Sequence, residues 1–319
     1  MGNSCVTGAS PALLRKTHHQ DPAFEWKVYG FSALLERGAI SANSATFHCG
    51  GYKWFLKVTP MHKKSGDELP YVALDLAISR IGLKPGCTMD AAFELSICNH
   101  SNGTHCGYKA SHRFNVKKTH SEKISLLPLE ELLKSSDFLV DDSCVFGVKI
   151  LKAEVSSPKK NPVRISKKPI TVQNLFLQKK EFIKGTYIWK CNILDFKLPV
   201  LSPAFEVGGH KWFLNMHPLG DKYSTHSLSV FFHRHYLNEL PDLESGMMIE
   251  LNLSILDQKL GQDFAVKGHF VFAIQEKTGW GWSNFIPLKT FKDLSRGYLV
   301  GSTCVLKAEI TIIGSSNNG

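Results

Sequence analysis

The chain has no long apolar run, few cysteines and no catalytic signature, and each shortage closes off a class of protein. Nowhere in its 319 residues do apolar side chains approach the uninterrupted run of about 18 that a membrane helix needs. Eight cysteines are too sparse for a disulfide scaffold. Residues 1–20 offer only Pro11-Ala12-Leu13-Leu14 before Arg15 and Lys16, which falls short of the apolar core of a secretory signal. Free thiols in a reducing, cytoplasmic setting are therefore expected, with Asn99, Asn102 and Asn252 unglycosylated although each heads an Asn-X-Ser/Thr triplet. There is no Gly-X-Y period and no sustained heptad, so fibrous and coiled-coil readings fail. Gly-x-Ser-x-Gly, P-loop and HExxH motifs are also missing, and with them the usual hydrolase, nucleotide and zinc-protease signatures.

What is present is a globular balance of 43% apolar and 21% charged residues, long enough for two domains. The net charge of +10 is concentrated. Residues 156–184 carry Lys159, Lys160, Arg164, Lys167, Lys168, Lys179, Lys180 and Lys184 against Glu181, with Pro158, Pro162 and Pro169 among them. Such a segment reads as a solvated linker, with a lipid-facing role as the competing reading. It lacks the interleaved aromatics of a nucleic-acid platform, and nucleic acid ranks last among its partners.

The sequence also repeats itself. Gly50-Gly51-Tyr52-Lys53-Trp54-Phe55-Leu56 returns 158 residues later as Gly208-Gly209-His210-Lys211-Trp212-Phe213-Leu214. Leu127-Pro128-Leu129 returns as Ile286-Pro287-Leu288, and Phe138-Leu139-Val140 as Tyr298-Leu299-Val300. Cys144-Val145 returns as Cys304-Val305, and Trp26-Lys27 and Trp189-Lys190 open the two copies. Within each copy the apolar period is two, as in Val72, Leu74, Leu76 and in Leu228, Val230, Phe232, the mark of half-buried strands. Only the stretches after Pro128 and Pro287 look helical. The expected architecture is all-β, two tandem eight-stranded antiparallel sandwiches over residues 23–155 and 184–313. A flexible start (1–22), a basic linker (156–183) and a flexible tail (314–319) complete it. Trp26, Trp54, Trp189 and Trp212 are expected in the cores, and Cys144 and Cys304 as buried thiols. No metal site or cofactor is expected. Cys98, His100, His105, Cys106 and His112 fit no zinc-finger spacing and read as an insertion loop, and His233-Arg234-His235 reads as a solvated loop entry.

The repeated GG-x-KWFL…P block and the closing [FY]LV…CV run resemble the MATH (TRAF-like) domain, across about 260 residues, most of all plant proteins with tandem copies. The resemblance implies an eight-stranded sandwich that is not an enzyme. It would bind short extended peptide segments in a shallow groove and pass partners to ubiquitin ligases or deubiquitinases. On the family's pattern the groove residues are Tyr71, Phe93 and His112 in the first copy and Ser227, Ile249, Phe270, Trp280 and Trp282 in the second, each copy keeping about half the aromatic set. The competing reading of Trp280 and Trp282 is packing at a sheet edge. A glycan-binding sandwich, with those two rings stacking on sugars, is the alternative function. The two sandwiches are expected to fill nearly the whole chain, with no BTB, RING, protease or deubiquitinase domain beside them. Finally, Met1-Gly2-Asn3-Ser4-Cys5-Val6 resembles the starts of plant calcium-dependent kinases, which implies myristate on Gly2 and palmitate on Cys5 and a tether to the plasma membrane. Val6 departs from the usual Ser or Thr at that position, and an ordinary Met-Gly start is the competing reading.

Overall fold

The computed structural model describes residues 22–63, 66, 69–80, 82–84, 86–156, 170–235, 246–272 and 279–318. The expected acyl sites Gly2 and Cys5, and the basic stretch 157–169, lie outside the described residues. No helix among the described residues is long and apolar enough to cross a membrane.

The first copy is built from β1 (Phe24–Tyr29), β2 (Ala42–Asn43), β3 (Phe47–Cys49), β4 (Tyr52–His62), β5 (Tyr71–Ile78), β6 (Thr88–Asn99), β7 (Thr104–Phe114), β8 (Ile124–Pro128) and β9 (Ser143–Ser156). One of its sheets runs β1-β9-β6-β7 and the other β2-β4-β5-β8, with β3 also on β4. A further strand, β10 (Thr171–Leu177), follows. The second copy repeats the order as β11 (Ile183–Asn192), β12 (Val200–Leu201), β13 (Phe205–Val207), β14 (His210–His217), β15 (Ser227–Arg234), β16 (Gly246–Ile255), β17 (Phe264–Phe272), β18 (Trp280–Pro287) and β19 (Thr303–Asn318). Its sheets are β11-β19-β16-β17 and β12-β14-β15-β18, with β13 on β14. The fold is thus two antiparallel sandwiches, with one edge position of each filled by two short strands.

Local chemistry explains why the repeated motifs are where they are. The Gly-Gly pair links β3 to β4 and β13 to β14 as a two-residue hairpin. Gly50 and Gly51 have φ of 60° and 80°, Gly208 and Gly209 of 64° and 73°, and a type I′ turn needs positive φ at both central residues. The tryptophan that follows is buried in each copy and donates its indole N–H backwards, Trp54 to the Cys49 carbonyl at 3.0 Å and Trp212 to the Val207 carbonyl at 3.2 Å. The repeated prolines open short helices, α2 (Leu129–Lys134) and α3 (Leu288–Phe291). Pro128 (φ −56°, ψ 138°) and Pro287 (φ −57°, ψ 136°) hold the same extended conformation there. A helix that the sequence pattern did not suggest, α1 (Ser32–Glu36), leaves β1.

Two expectations need correction. Part of the linker is not solvated chain, because β10 pairs in parallel with β1 on one side and antiparallel with β19 on the other. The tail is not flexible either: Gly314–Asn318 form the rungs that hold β10. Composition misled here. The lysines and prolines around it hide the strand-forming run Thr171-Val172-Gln173-Asn174-Leu175-Phe176-Leu177, in which Leu175 enters the first core. Lys179, counted with the free basic residues, pairs with Asp142 at 3.0 Å. Burial would raise the Asp142 carboxyl, but hydrogen bonds from the Ser32 N–H and hydroxyl, together with Lys179, hold it below the ordinary carboxylate range.

Through β10 the two copies share one nine-stranded sheet, β17-β16-β19-β10-β1-β9-β6-β7 with β11 on β19. Each copy keeps its own core, but the first core also takes in Met248, Val271 and Ile313 from the second copy.

Candidate functional site

The open edges of the second sandwich carry its most unusual side chains. β17 ends one sheet and β18 ends the other, so each turns a row of backbone N–H and C=O groups away from its own sheet. On β18, Trp280 and Trp282 lie opposite Phe232 and Val230 of β15. Both partners are fully buried, so the two indoles point to the core side of the sheet. Phe270 reaches toward them from β17, its ring 5.7 Å from Trp280 and 5.4 Å from Trp282. All three rings pack against the core yet stay half-exposed. They seal the mouth between the sheets and present ring surface outward.

Glycines make the seat possible. A Cβ on Gly268 would stand 2.7 Å from the Phe270 ring and 2.9 Å from Trp282. On Gly279 it would meet the His233 imidazole at 2.3 Å, and on Gly281 the Val230 carbonyl oxygen at 2.1 Å. The Gly-Trp-Gly-Trp alternation therefore has a reason: glycine where the chain crosses β15 closely, tryptophan on the other face. Gly268, His233 and Phe55 were not expected at the site from the sequence. The alternation was the available signal for Gly279 and Gly281, whereas nothing local marks Gly268, His233 or Phe55.

The first copy stands against this seat. Phe55 points out of β4, away from its own core, yet is buried, between His120 (5.6 Å) and Trp280 (5.9 Å). Between the copies lies a cleft of about 800 Å³. Its walls include Lys53, Phe55, Lys57, Arg80 and His120 from the first copy, and Tyr223, His233, Phe270, Trp280 and Trp282 from the second. His233 is half-buried in this wall, stacked on Phe213 at 4.9 Å, and is not the solvated loop entry expected. Burial, with His217 adding to it, pushes its pKa down to about 4, so the imidazole is neutral at pH 7.

The other expected groove residues are scattered. Phe93 and Ile249 are fully buried core residues and are corrected here. Alternation on β6 and β16 turns both inward, where no partner reaches them. The hairpin register also separates them: Ile249 faces Phe270 as Ala91 faces His112, while Phe93 faces Ala110 as Leu251 faces Gly268. Ser227 is buried opposite Pro287, and half-buried Tyr71 holds the matching place opposite Pro128. His112 lies on β7 with its ring 4.6 Å from Phe114. Burial first and Lys118 second lower its pKa, and its Nε2 has no hydrogen-bond partner among the described residues. Neither Tyr71 nor His112 lines the cleft.

Among the described residues no three His, Cys, Asp or Glu side chains gather as metal ligands. His105 is engaged by Ser96 and Glu25, each at 3.1 Å. Cys98 and Cys106 belong to the β6–β7 hairpin and not to an insertion loop. Cys144 and Cys304 are fully buried. Burial drives the Cys144 thiol far above its ordinary value, and the hydrogen bond with Cys191, aided by burial, does the same for Cys304. Neither is an activated nucleophile.

A family model described as MATH domain matches residues 23–150 and 186–310. Three similar curated proteins are from Arabidopsis thaliana. A MATH domain and coiled-coil domain-containing protein is 30% identical over 113 residues, covering 35% of this chain and 33% of its own length. TNF receptor-associated factor homolog 1b is 30% identical over 140 residues, 40% of this chain and 12% of its own length. Ubiquitin C-terminal hydrolase 12 is 29% identical over 114 residues, 35% of this chain and 10% of its own length. The chain thus spans a third or less of the length of these relatives. A solved TRAF5 structure from Notothenia coriiceps, 20% identical, covers 40% of this chain and 72% of its own, with a TM-score of 0.31.

Proposed function

The chain belongs to the MATH domain family of protein-interaction modules, and from that premise we propose that it is a non-enzymatic adaptor that seats an extended segment of a partner protein on Phe270, Trp280 and Trp282. One observation carries this reading: three large rings stay half-exposed at a sandwich mouth between two strand edges that no further strand pairs with among the described residues. Edge N–H and C=O groups can pair with an extended backbone, and rigid rings can take alternate side chains at little entropic cost. Large aromatics at a desolvated centre are also where binding energy concentrates. His112 and Ile124 mark the matching, weaker mouth of the first copy.

The test is Trp282→Ala, chosen over Trp280 because Trp280 also touches Phe55. Capture of partners from extract should fall at least tenfold while the unfolding midpoint shifts by only a few degrees, as truncating a binding anchor of about 2 kcal/mol would do. An unchanged set of captured proteins from the folded variant refutes the reading.

The similarity to a ubiquitin C-terminal hydrolase supports delivery of the partner to ubiquitin-processing enzymes, which proximity labelling would detect. Two acyl chains, on Gly2 and Cys5, would hold the adaptor at the plasma membrane where one would not. Mass spectrometry of the native N-terminus decides that point.

A further inference from the structure

The wall facing the aromatic seat belongs to the other copy, and it is held in register. Arg80 donates to the Ser283 hydroxyl at 3.2 Å, its guanidinium lies 5.4 Å from the centre of the Tyr223 ring, and the Tyr223 hydroxyl donates to the Arg80 carbonyl at 3.2 Å. Farther along, Arg37 pairs with Glu250 at 3.2 Å. The cleft is therefore a fixed feature of the tandem and cannot exist in one copy alone.

Its charge is one-sided. Among the described residues Lys53, Lys57, Arg80 and Lys267 line it, against the single carboxylate of Asp221. Among the described residues, the nearby acidic groups each have a partner other than Lys57 or Arg80. Asp221 accepts from the Ser283 hydroxyl at 2.9 Å and from the N–H groups of Tyr223 and Ser224 at 3.0 Å. Asp75, across the strand pair from Lys57, is buried with His120 Nδ1 at 3.5 Å, although its Oδ1 makes no hydrogen bond among the described residues. Glu250 is held by Arg37, Lys267 and His269. Among the described residues, neither Lys57 nor Arg80 has a carboxylate within ion-pair distance. Two further lining atoms, Asn43 Oδ1 and His233 Nε2, are buried with no hydrogen-bond partner among the described residues, an arrangement that costs free energy until something fills it.

We propose that the two copies form one composite site for an acidic extended peptide. The second copy seats an apolar side chain on its rings, and Lys57 and Arg80 of the first copy take the neighbouring carboxylates. This rests on the peptide reading above and adds to it the charge of the ligand and the part played by the first copy. A carboxylate brought to Lys57 in a half-buried cleft gains more than one on open surface, because less water screens the pair.

A library of random twelve-residue peptides displayed on phage, panned against the full chain, tests the proposal. Enriched peptides are then measured by fluorescence anisotropy on wild type, Lys57→Glu, Lys57→Gln and Trp282→Ala, each checked for its unfolding midpoint. The expected result is Asp or Glu within a few residues of an aromatic or large aliphatic anchor. Binding should weaken about tenfold in Lys57→Glu, less in Lys57→Gln, and further with added salt. Lys57→Glu should also come to prefer peptides whose acidic residue is changed to Lys. Neutral or basic winners overturn the acidic site. So does a full loss in Trp282→Ala with no change in either Lys57 variant, although the peptide reading then survives. No enrichment, or enrichment indifferent to Trp282, ends both. A single-stranded oligonucleotide that binds more tightly than any peptide and needs the same residues would replace the ligand class.

Discussion

At the mouth of the first sandwich the residue facing Ala91 is His112; at the mouth of the second the residue facing Ile249 is Phe270. Ala110 in one copy is Gly268 in the other, and Ile124, opposite Leu74, is Trp282, opposite Val230. Behind these differences the frames agree to single hydrogen bonds. The Ser44 hydroxyl accepts from the Leu56 N–H, and the Ser202 hydroxyl from the Leu214 N–H, both at 2.9 Å. The same two hydroxyls donate to the carbonyls of Ala45 and Pro203, both at 2.8 Å. The scaffold was kept and the rim was changed. Aromatic bulk collected on one copy only, and the other turned an outward phenylalanine, Phe55, and its basic residues toward it.

The comparison can be broken at several depths. The largest effects come from the shared frame. Trp54→Ala and Trp212→Ala should each cost about 3–5 kcal/mol, since each empties a fully buried indole site. Because β10 ties the copies into one sheet and the first core includes Met248, Val271 and Ile313, calorimetry should show one shifted transition for either variant. A second, unshifted transition would show that the copies melt independently. Next comes the rim. Gly268→Ala forces a methyl into the Phe270 and Trp282 rings and should cost about 2 kcal/mol and alter the near-ultraviolet dichroism. The opposite change in the first copy, Ala110→Gly, should cost about 1 kcal/mol or less, from chain entropy alone. Equal costs would mean that the rings are not packed as described.

Smaller effects depend on pH and salt. His233, with its pKa pushed down to about 4, binds a proton more readily unfolded, where the value is roughly 6.5. Its contribution is complete above that value and is lost as pH falls toward 4, by up to about 2 kcal/mol after allowing for solvent screening. Replacing it with Phe should flatten the thermal midpoint across that window. Least is expected of the link between copies. Burial would raise the Glu250 carboxyl, but hydrogen bonds from Lys267 and His269 and the charges of Lys267 and Arg37 hold it below its ordinary range. Its contribution is therefore present above the unfolded value, roughly 4.3, and lost as pH falls through the lower folded one. Glu250→Gln should cost about 1 kcal/mol at pH 7, and less in high salt.

Much of the frame was legible beforehand. The Gly-Gly turns, the inward tryptophans, the paired prolines and the period-two runs each act on a few adjacent residues, and together they pointed to two sandwiches. The rim was legible only in pieces. Trp280, Trp282 and Phe270 stood out by type and meet in space, whereas Phe93 and Ile249 match the family's groove pattern by position along the chain and turn inward. A two-residue step along a strand keeps the face but changes the neighbour across the hairpin, and spacing alone does not decide which neighbour that is.

The amino-acid order determined what depends on near neighbours: where turns fall, which strand faces are apolar, and that one module occurs twice. The tertiary structure decided what depends on residues far apart in the chain. Seven residues of an apparently basic linker became a strand because β1 and β19 each offered it a free edge. Phe55 and Trp280 share a cleft wall because that added strand fixed how the sandwiches meet. Pairing between distant edges and packing between separate faces have no counterpart in local spacing, so they emerge only once the chain has folded back on itself.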